Sequence, residues 1–232
     1  MGGTRSKLSS EIVKEYGSNA GAVMIGIAAA EDFGSAPDDF KPSDNLENCR
    51  SVIVLAAPFS KESFQKTFVE YTDTRNETYK RMDNIAKEVA KQITHAGYKA
   101  KAIGGIGGKK WINGVNHGHI SLKHAAELAG LGVIGKNYLL INSEYGTRLW
   151  FSAVLTDAEL VPDEKAAYSF CDDCNKCVEM CPSKALDDIN SFGKKVCSRT
   201  CFKMVDKKWM LVCFLCRKVC PYCFGEEKDQ TN

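Results

Sequence analysis

The sequence predicts a layered α/β domain over residues 1–165 followed by a small α+β domain over 166–232, and three observations carry that reading. Continuous apolar runs at 22–28 and 51–57 have the composition of strands buried on both faces. From Met82 onward apolar residues recur at three- and four-residue spacing, as on an amphipathic helix. Ten of the eleven cysteines lie between Cys171 and Cys223, so the composition changes abruptly near residue 165.

The two apolar runs are the expected core strands of a sheet. Between them, Glu31 to Asn48 holds acids, two prolines and a Gly-Ser pair, and reads as a loop able to cap a ligand. Met82, Ile85, Ala86, Val89, Ile93 and Ala96 mark one helix face, with Gly97 as the stop signal. Tyr98 to Ile103 then alternates like an exposed edge strand. A second helix is expected over 117–129, and further strands over 137–142 and 149–155, which completes a layered α/β order.

Two glycine-rich stretches invite misreading. Gly104 to Lys110 resembles a P-loop, but Ile103 stands where the first glycine belongs and Lys110 replaces the magnesium-binding Ser or Thr. Gly130-Leu-Gly132-Val-Ile-Gly135 matches G-x-G-x-x-G, yet it follows a helical segment, whereas a dinucleotide site requires strand, turn and helix. What remains is a tight turn that lets the backbone approach something closely.

The cysteines carry the chemistry. They spell Cys171-x2-Cys174-x2-Cys177-x3-Cys181-Pro182, then Cys197, Cys201, and Cys213-x2-Cys216-x3-Cys220-Pro221. Three thiolates at two-residue spacing suit one face of a cubane, and in two-cluster ferredoxins the cysteine before proline ligates the other cluster. Structural zinc is the competitor, but a zinc ribbon uses two separated pairs. A disulfide framework fits less well in a chain with no secretory signal. The crossed pattern gives two 4Fe-4S clusters. Cluster one takes Cys171, Cys174, Cys177 and Cys220; cluster two takes Cys181, Cys213, Cys216 and Cys197, with Cys201 or Cys223 as alternatives to Cys197. Two cysteines are then surplus small hydrophobes, as is Cys49. A domain as small as 166–232 needs its clusters as staples.

The net charge of +2 gives no general case for nucleic acid or an anionic membrane. From Lys194 to Lys218, however, eight basic residues face one acid, Asp206, which offsets thiolate charge or offers a docking patch for an acidic electron donor. No apolar stretch reaches the ~18 residues of a membrane helix. Met1 to Ser6 formally fits a myristoylation pattern, read as coincidence. Reduced clusters and free thiols point to the cytoplasm.

The stretch His119 to Asn137, with Ala129-Gly-Leu-Gly-x-Ile-Gly-Lys136-Asn137 at its end, then Glu144 to Arg148, Leu155-Thr-Asp157 and the cysteine block, resembles the epoxyqueuosine reductase and reductive dehalogenase superfamily over most of residues 20–225. The resemblance implies a nitroreductase-like layered α/β domain binding cobalamin or another corrinoid, packed on a small bacterial-ferredoxin-like α+β module. It further implies electron flow from the clusters to cobalt for a low-potential reduction. It places Gly132, Gly135, Lys136 and Asn137 on the corrinoid side, with Arg148 beside them. Two departures stand out. The family's catalytic aspartate aligns with Asn116, which cannot donate a catalytic proton, so His117, His119, Tyr138 or Tyr145 would have to substitute. The family's tRNA-engaging tail has no counterpart after Cys223, so no nucleic-acid partner is expected. The expected partners are a low-potential donor of ferredoxin or flavodoxin type and, in one alternative, a corrinoid protein that this chain reactivates. A further alternative is an electron-transfer protein with no corrinoid of its own; a flavin in the corrinoid's place is the last.

Overall fold

The structure, a computed structural model, describes residues 6–105, 110–112, 115–188 and 192–226. The myristoylation-like start and the centre of the P-loop-like stretch lie outside these residues.

The first part runs α1 (Ser10–Asn19), β1 (Met24–Ala29), α2 (Pro42–Asn45), β2 (Ser51–Pro58), α3 (Phe68–His95), β3 (Ala100–Ile103), β4 (Lys110–Ile112), β5 (Val115–His117), α4 (Leu122–Leu128), β6 (Val133–Ile134), β7 (Leu140–Ile141) and β8 (Leu149–Thr156). Four strands form an antiparallel sheet in the order β1-β2-β8-β3. The strand expected at an edge, β3, is at one.

β2 explains why antiparallel strands here lack polar alternation. Val52, Val54 and Ala56 enter one core beneath α4, while Ile53, Leu55 and Ala57 enter the other beneath α1 and α3. Side chains alternate across a strand, so with both faces covered every position is apolar. Each such Val, Leu or Ile contributes roughly 1.5–3 kcal/mol of burial.

α3 begins well before the periodic residues do. Thr67 caps it: its Oγ1 accepts from the Glu70 amide at 3.3 Å, while the Glu70 carboxylate accepts from the Thr67 amide at 3.1 Å. The added turns bury Tyr71 and Thr72 against the cysteine segment, where Tyr71 stacks on Phe214 at 3.8 Å and Thr72 Oγ1 accepts from the Leu211 amide. α1, with Ser9 as its cap, was not expected from sequence. The expected second helix is shorter, because 115–117 pairs as β5 against β4. The expected loop at 31–48 includes α2 and the 3-10 turn Ala30–Phe33.

The second part holds α5 (Lys176–Glu179), α6 (Lys194–Cys201), the hairpin β9 (Phe202–Val205) and β10 (Lys208–Leu211), and α7 (Leu215–Lys218). Its buried cluster is built around Cys177, Cys181, Ala185 and Leu186. It docks through Gly146, whose φ of +58° and missing Cβ bring its backbone against Tyr222 and Cys223; a Cβ there would stand 2.1 Å from Tyr222 O. Among the described residues no helix is long and apolar enough to cross a membrane.

Candidate metal centre

The thiols fall into two neighbourhoods. Burial pushes Cys177 up, with Cys171 and Cys174 adding repulsion. Cys220 is pushed up to about 12 by burial, with Cys171, Cys223 and Cys177 contributing. Cys171 and Cys174 thus act on Cys177, and Cys171 and Cys177 on Cys220, while Cys177 also packs with Cys181. The second group surrounds a cavity of about 170 Å³ lined by Cys181, Cys197, Cys201, Cys213 and Cys216. Burial pushes Cys216 up to about 11, reinforced by Cys197, Cys213 and Cys177. At Cys181 burial raises the pKa, but hydrogen bonds from Ser183 and the Ala185 and Leu186 amides outweigh it and hold the thiol below its ordinary value.

The cavity brings together Cys197 and Cys201, one helical turn apart on α6. The mutual hydrogen bond lowers Cys197 to about 7 and, as its largest cause, raises Cys201. Cys223 lies elsewhere, buried with Phe59, Phe64 and Tyr71, and its Sγ accepts from Thr147 Oγ1 at 3.8 Å. Cys49 lies by Ser51, whose carbonyl accepts its thiol, and burial raises it to about 11.

Lys123 and Arg217 line the cavity, and Lys194 acts on Lys123 from nearby. Lys123 donates to Tyr138 O and sits 5.8 Å from the Phe192 ring centroid. Burial first, then Arg217 and Lys194, push its ammonium down to about 8, against the pull of Cys216 and Cys197. Arg217 is buried, donates to Thr147 O and lies 5.0 Å over the Trp150 ring. The Trp150 indole N–H, also at the cavity, is buried without a partner. A thiolate-ligated cluster in this pocket would place negative charge beside Lys123 and Arg217 and offer sulfur acceptors to the indole. Among the described residues no three His, Cys, Asp or Glu side chains converge as donors to a single ion would. Four thiolates on four different irons do not need to converge on one ion.

The residues nominated for the corrinoid are engaged inside the protein. Lys136 Nζ donates to Asp172 O, Cys174 O and Asn175 Oδ1 at 3.0–3.1 Å, which clamps the first cysteine loop. Asn137 is buried, accepts from the Leu139 amide at 3.0 Å and donates to Cys216 O at 3.4 Å. A Cβ on Gly135 would lie 2.5 Å from Ile141 Cδ1 and 3.1 Å from Cys171 Sγ; one on Gly132 would lie 2.3 Å from Ile141 O. Arg148 is buried and donates to Phe59 O at 2.9 Å. All five residues thus make contacts within the protein.

The catalytic candidates sit in separate settings. Asn116 and His117 lie on β5, where Asn116 O accepts from Lys194 and the His117 ring is 5.6 Å from Phe40. Burial, then Lys194, pushes His117 down. Tyr138 stacks on Phe192 at the cavity, with φ +54°. Tyr145 packs by the sheet core beside Arg148, and its hydrogen bond to Glu144 leads in raising it. Lys123 and Trp150 were not singled out from the sequence. The signal for Lys123 was its place one turn before Ala126 on the buried side of α4, a costly position for an ammonium.

Together the fold and the thiol pocket define an α/β protein with a cysteine-rich module suited to iron-sulfur clusters. No protein-family profile matches the chain. Among curated proteins it is 26% identical over 199 residues to an epoxyqueuosine reductase of Lactococcus garvieae, covering 78% of this chain and 54% of that one. It is 31% identical over 173 residues to a tetrachloroethene reductive dehalogenase of Desulfitobacterium hafniense, covering 73% and 28%. The solved epoxyqueuosine reductase of Streptococcus thermophilus matches with a TM-score of 0.65 at 20% identity over 92% of this chain and 66% of that one. A reductive dehalogenase described by B12-dependent dehalogenation matches with a TM-score of 0.61 at 24% identity, over 79% and 27%. The chain belongs to the superfamily that epoxyqueuosine reductases and reductive dehalogenases share, and it spans about a quarter to just over half the length of these curated relatives. A further epoxyqueuosine reductase, matching with a TM-score of 0.60 at 19% identity over 92% of this chain and 64% of that one, is solved with a modified tRNA stem loop. The expectation of no nucleic-acid partner thus meets a relative that does bind tRNA.

Proposed function

We propose that this chain is an iron-sulfur oxidoreductase that relays electrons through two 4Fe-4S clusters toward a corrinoid, for a low-potential reduction. The observation that carries it is the thiol-lined cavity with Lys123, Arg217 and Lys194 around it. Cys171, Cys174, Cys177 and Cys220 would hold one cluster; Cys181, Cys213, Cys216 and Cys197 or Cys201 would hold the other. When bound, such clusters supply one-electron carriers whose potential is set by charge and hydrogen bonds around the sulfurs. Lys136 fixes the loop that presents Cys171 and Cys174, and Gly135 lets Cys171 lie against the backbone. Phe192 and Leu139 help exclude water from the cavity.

The B12-dependent relative supports the corrinoid, while Lys136 and Arg148 spend hydrogen bonds inside the protein, and no step is assigned through it. That engagement favours a second reading: an electron-transfer protein or a reductive activator of a corrinoid partner. In either reading the hairpin of β9 and β10, with Trp209 64% and Met204 54% exposed among Lys203, Lys207 and Lys208, offers an acidic donor protein a landing face. A tRNA substrate, as in the tRNA-bound relative, would meet the same basic face.

The test is anaerobic reconstitution with iron, sulfide and cobalamin, followed by iron and cobalt counts after gel filtration. About eight irons and one cobalt per chain support the first reading. Eight irons and no cobalt support the second, and fewer than four irons refute both. Cys177→Ala should lose about half the iron, whereas Cys201→Ala should retain it because Cys197 shares the cavity.

A further inference from the structure

The two thiol groups lie in different electrostatic settings, and the Cys174 side carries carboxylates together with Lys136, whose Nζ donates to Cys174 O at 3.1 Å. The cavity holding Cys197 and Cys216 is the more closed of the two hollows, and the charges acting on Lys123 there are Arg217, Lys194 and the thiols themselves. The Cys174 side instead opens onto a hollow of about 560 Å³ whose lining includes Asp172, Asp173 and Glu179, with Lys176 as its one cation among the described residues. Of the cavity's cations, Lys123 comes from α4 of the sheet domain, outside both cysteine motifs, so it can be changed without touching a ligand segment.

We infer that Lys123 sets the reduction potential of the cluster held in the more closed cavity, raising it above that of the cluster beside the carboxylates. Reduction adds one negative charge to a cluster. A fixed cation in a water-poor pocket stabilises that charge, and carboxylates at an open hollow oppose it, more weakly because water screens them. Burial strengthens the first effect, so the two potentials separate mainly through the cavity. Lys123 acts as a positioning charge; it ligates no iron and donates no proton.

This inference rests on the two-cluster reading. The test is a redox titration at pH 7 of the full, reconstituted chain, followed by electron paramagnetic resonance, with iron counted in the same samples. The wild type should give two midpoints. Lys123→Met should lower the upper one by on the order of a tenfold change in its one-electron equilibrium constant, about 59 mV, and leave the lower one in place. Lys123→Arg should restore the upper midpoint, and Asp173→Asn should raise the lower one by less. A full iron count with the upper midpoint unmoved in Lys123→Met overturns the inference while leaving the two-cluster reading intact; a wild type with too little iron for two clusters overturns both. Should Lys123→Met lose iron, Cys216→Ser decides. It must perturb the upper-midpoint signal, and perturbation of the lower one overturns the inference.

Discussion

Leu55 and Cys216 are both removed from water, for opposite reasons. Leu55 sits fully buried in the middle of β2 among apolar side chains from α1, α3 and β8, and its own transfer from water stabilises the fold. Cys216 lies in a cavity ringed by thiols and cations, where burial raises its pKa to about 11 and repulsion from other sulfurs adds to the cost. The sheet region is held by what it excludes; the cysteine segment gathers thiols and cations around a cavity. On the two-cluster reading proposed above, the sheet region would hold without iron and the cysteine segment would not.

The strongest way to break this comparison is to withdraw the iron. Anaerobic chelation should unfold 171–226 while the sheet persists, read as hydrogen exchange that rises across α5, α6 and α7 with Ser51–Pro58 still protected. Equal exchange in both regions would refute the division. Leu55→Ala should cost about 2–5 kcal/mol in denaturant unfolding of the sheet, with the iron content of the folded fraction unchanged. Lys136→Ala sharpens the boundary, because its three contacts cross it. We expect faster loss of cluster-one iron with the unfolding midpoint of the sheet nearly constant; unchanged iron release would remove Lys136 from the clamp. The smallest effect belongs to Cys49, raised from an ordinary 9.0 to about 11 by burial. Between those values the unfolded chain loses this proton and the folded chain keeps it, so stability should fall as pH rises through that window. At pH 8 its alkylation, followed by peptide mass spectrometry, should be far slower in the folded protein than in urea.

Much of the sheet was legible because burial on both faces writes itself as uninterrupted apolar sequence, as in Ser51–Pro58 and Leu149–Thr156. The first half of α3 was not, since Tyr71 and Thr72 are buried by Phe214 and Leu211, residues distant in sequence. The glycine motif was legible as a close backbone approach, but its object was not. Gly135 makes room for a cysteine sulfur, which the local sequence cannot indicate.

By itself the sequence determined the cysteine spacings and the apolar strands, because thiolate chelation and strand burial act over short, countable intervals, and its motifs carried the resemblance to the superfamily. Only the tertiary structure decided that Cys197 and Cys201 share one cavity, that Cys223 lies outside it, and that Lys136 clamps a cysteine loop. It alone also brought Lys123 from α4 to the thiols. Charge placement in a low-dielectric pocket depends on which segments meet there, and that is fixed by packing rather than by spacing along the chain.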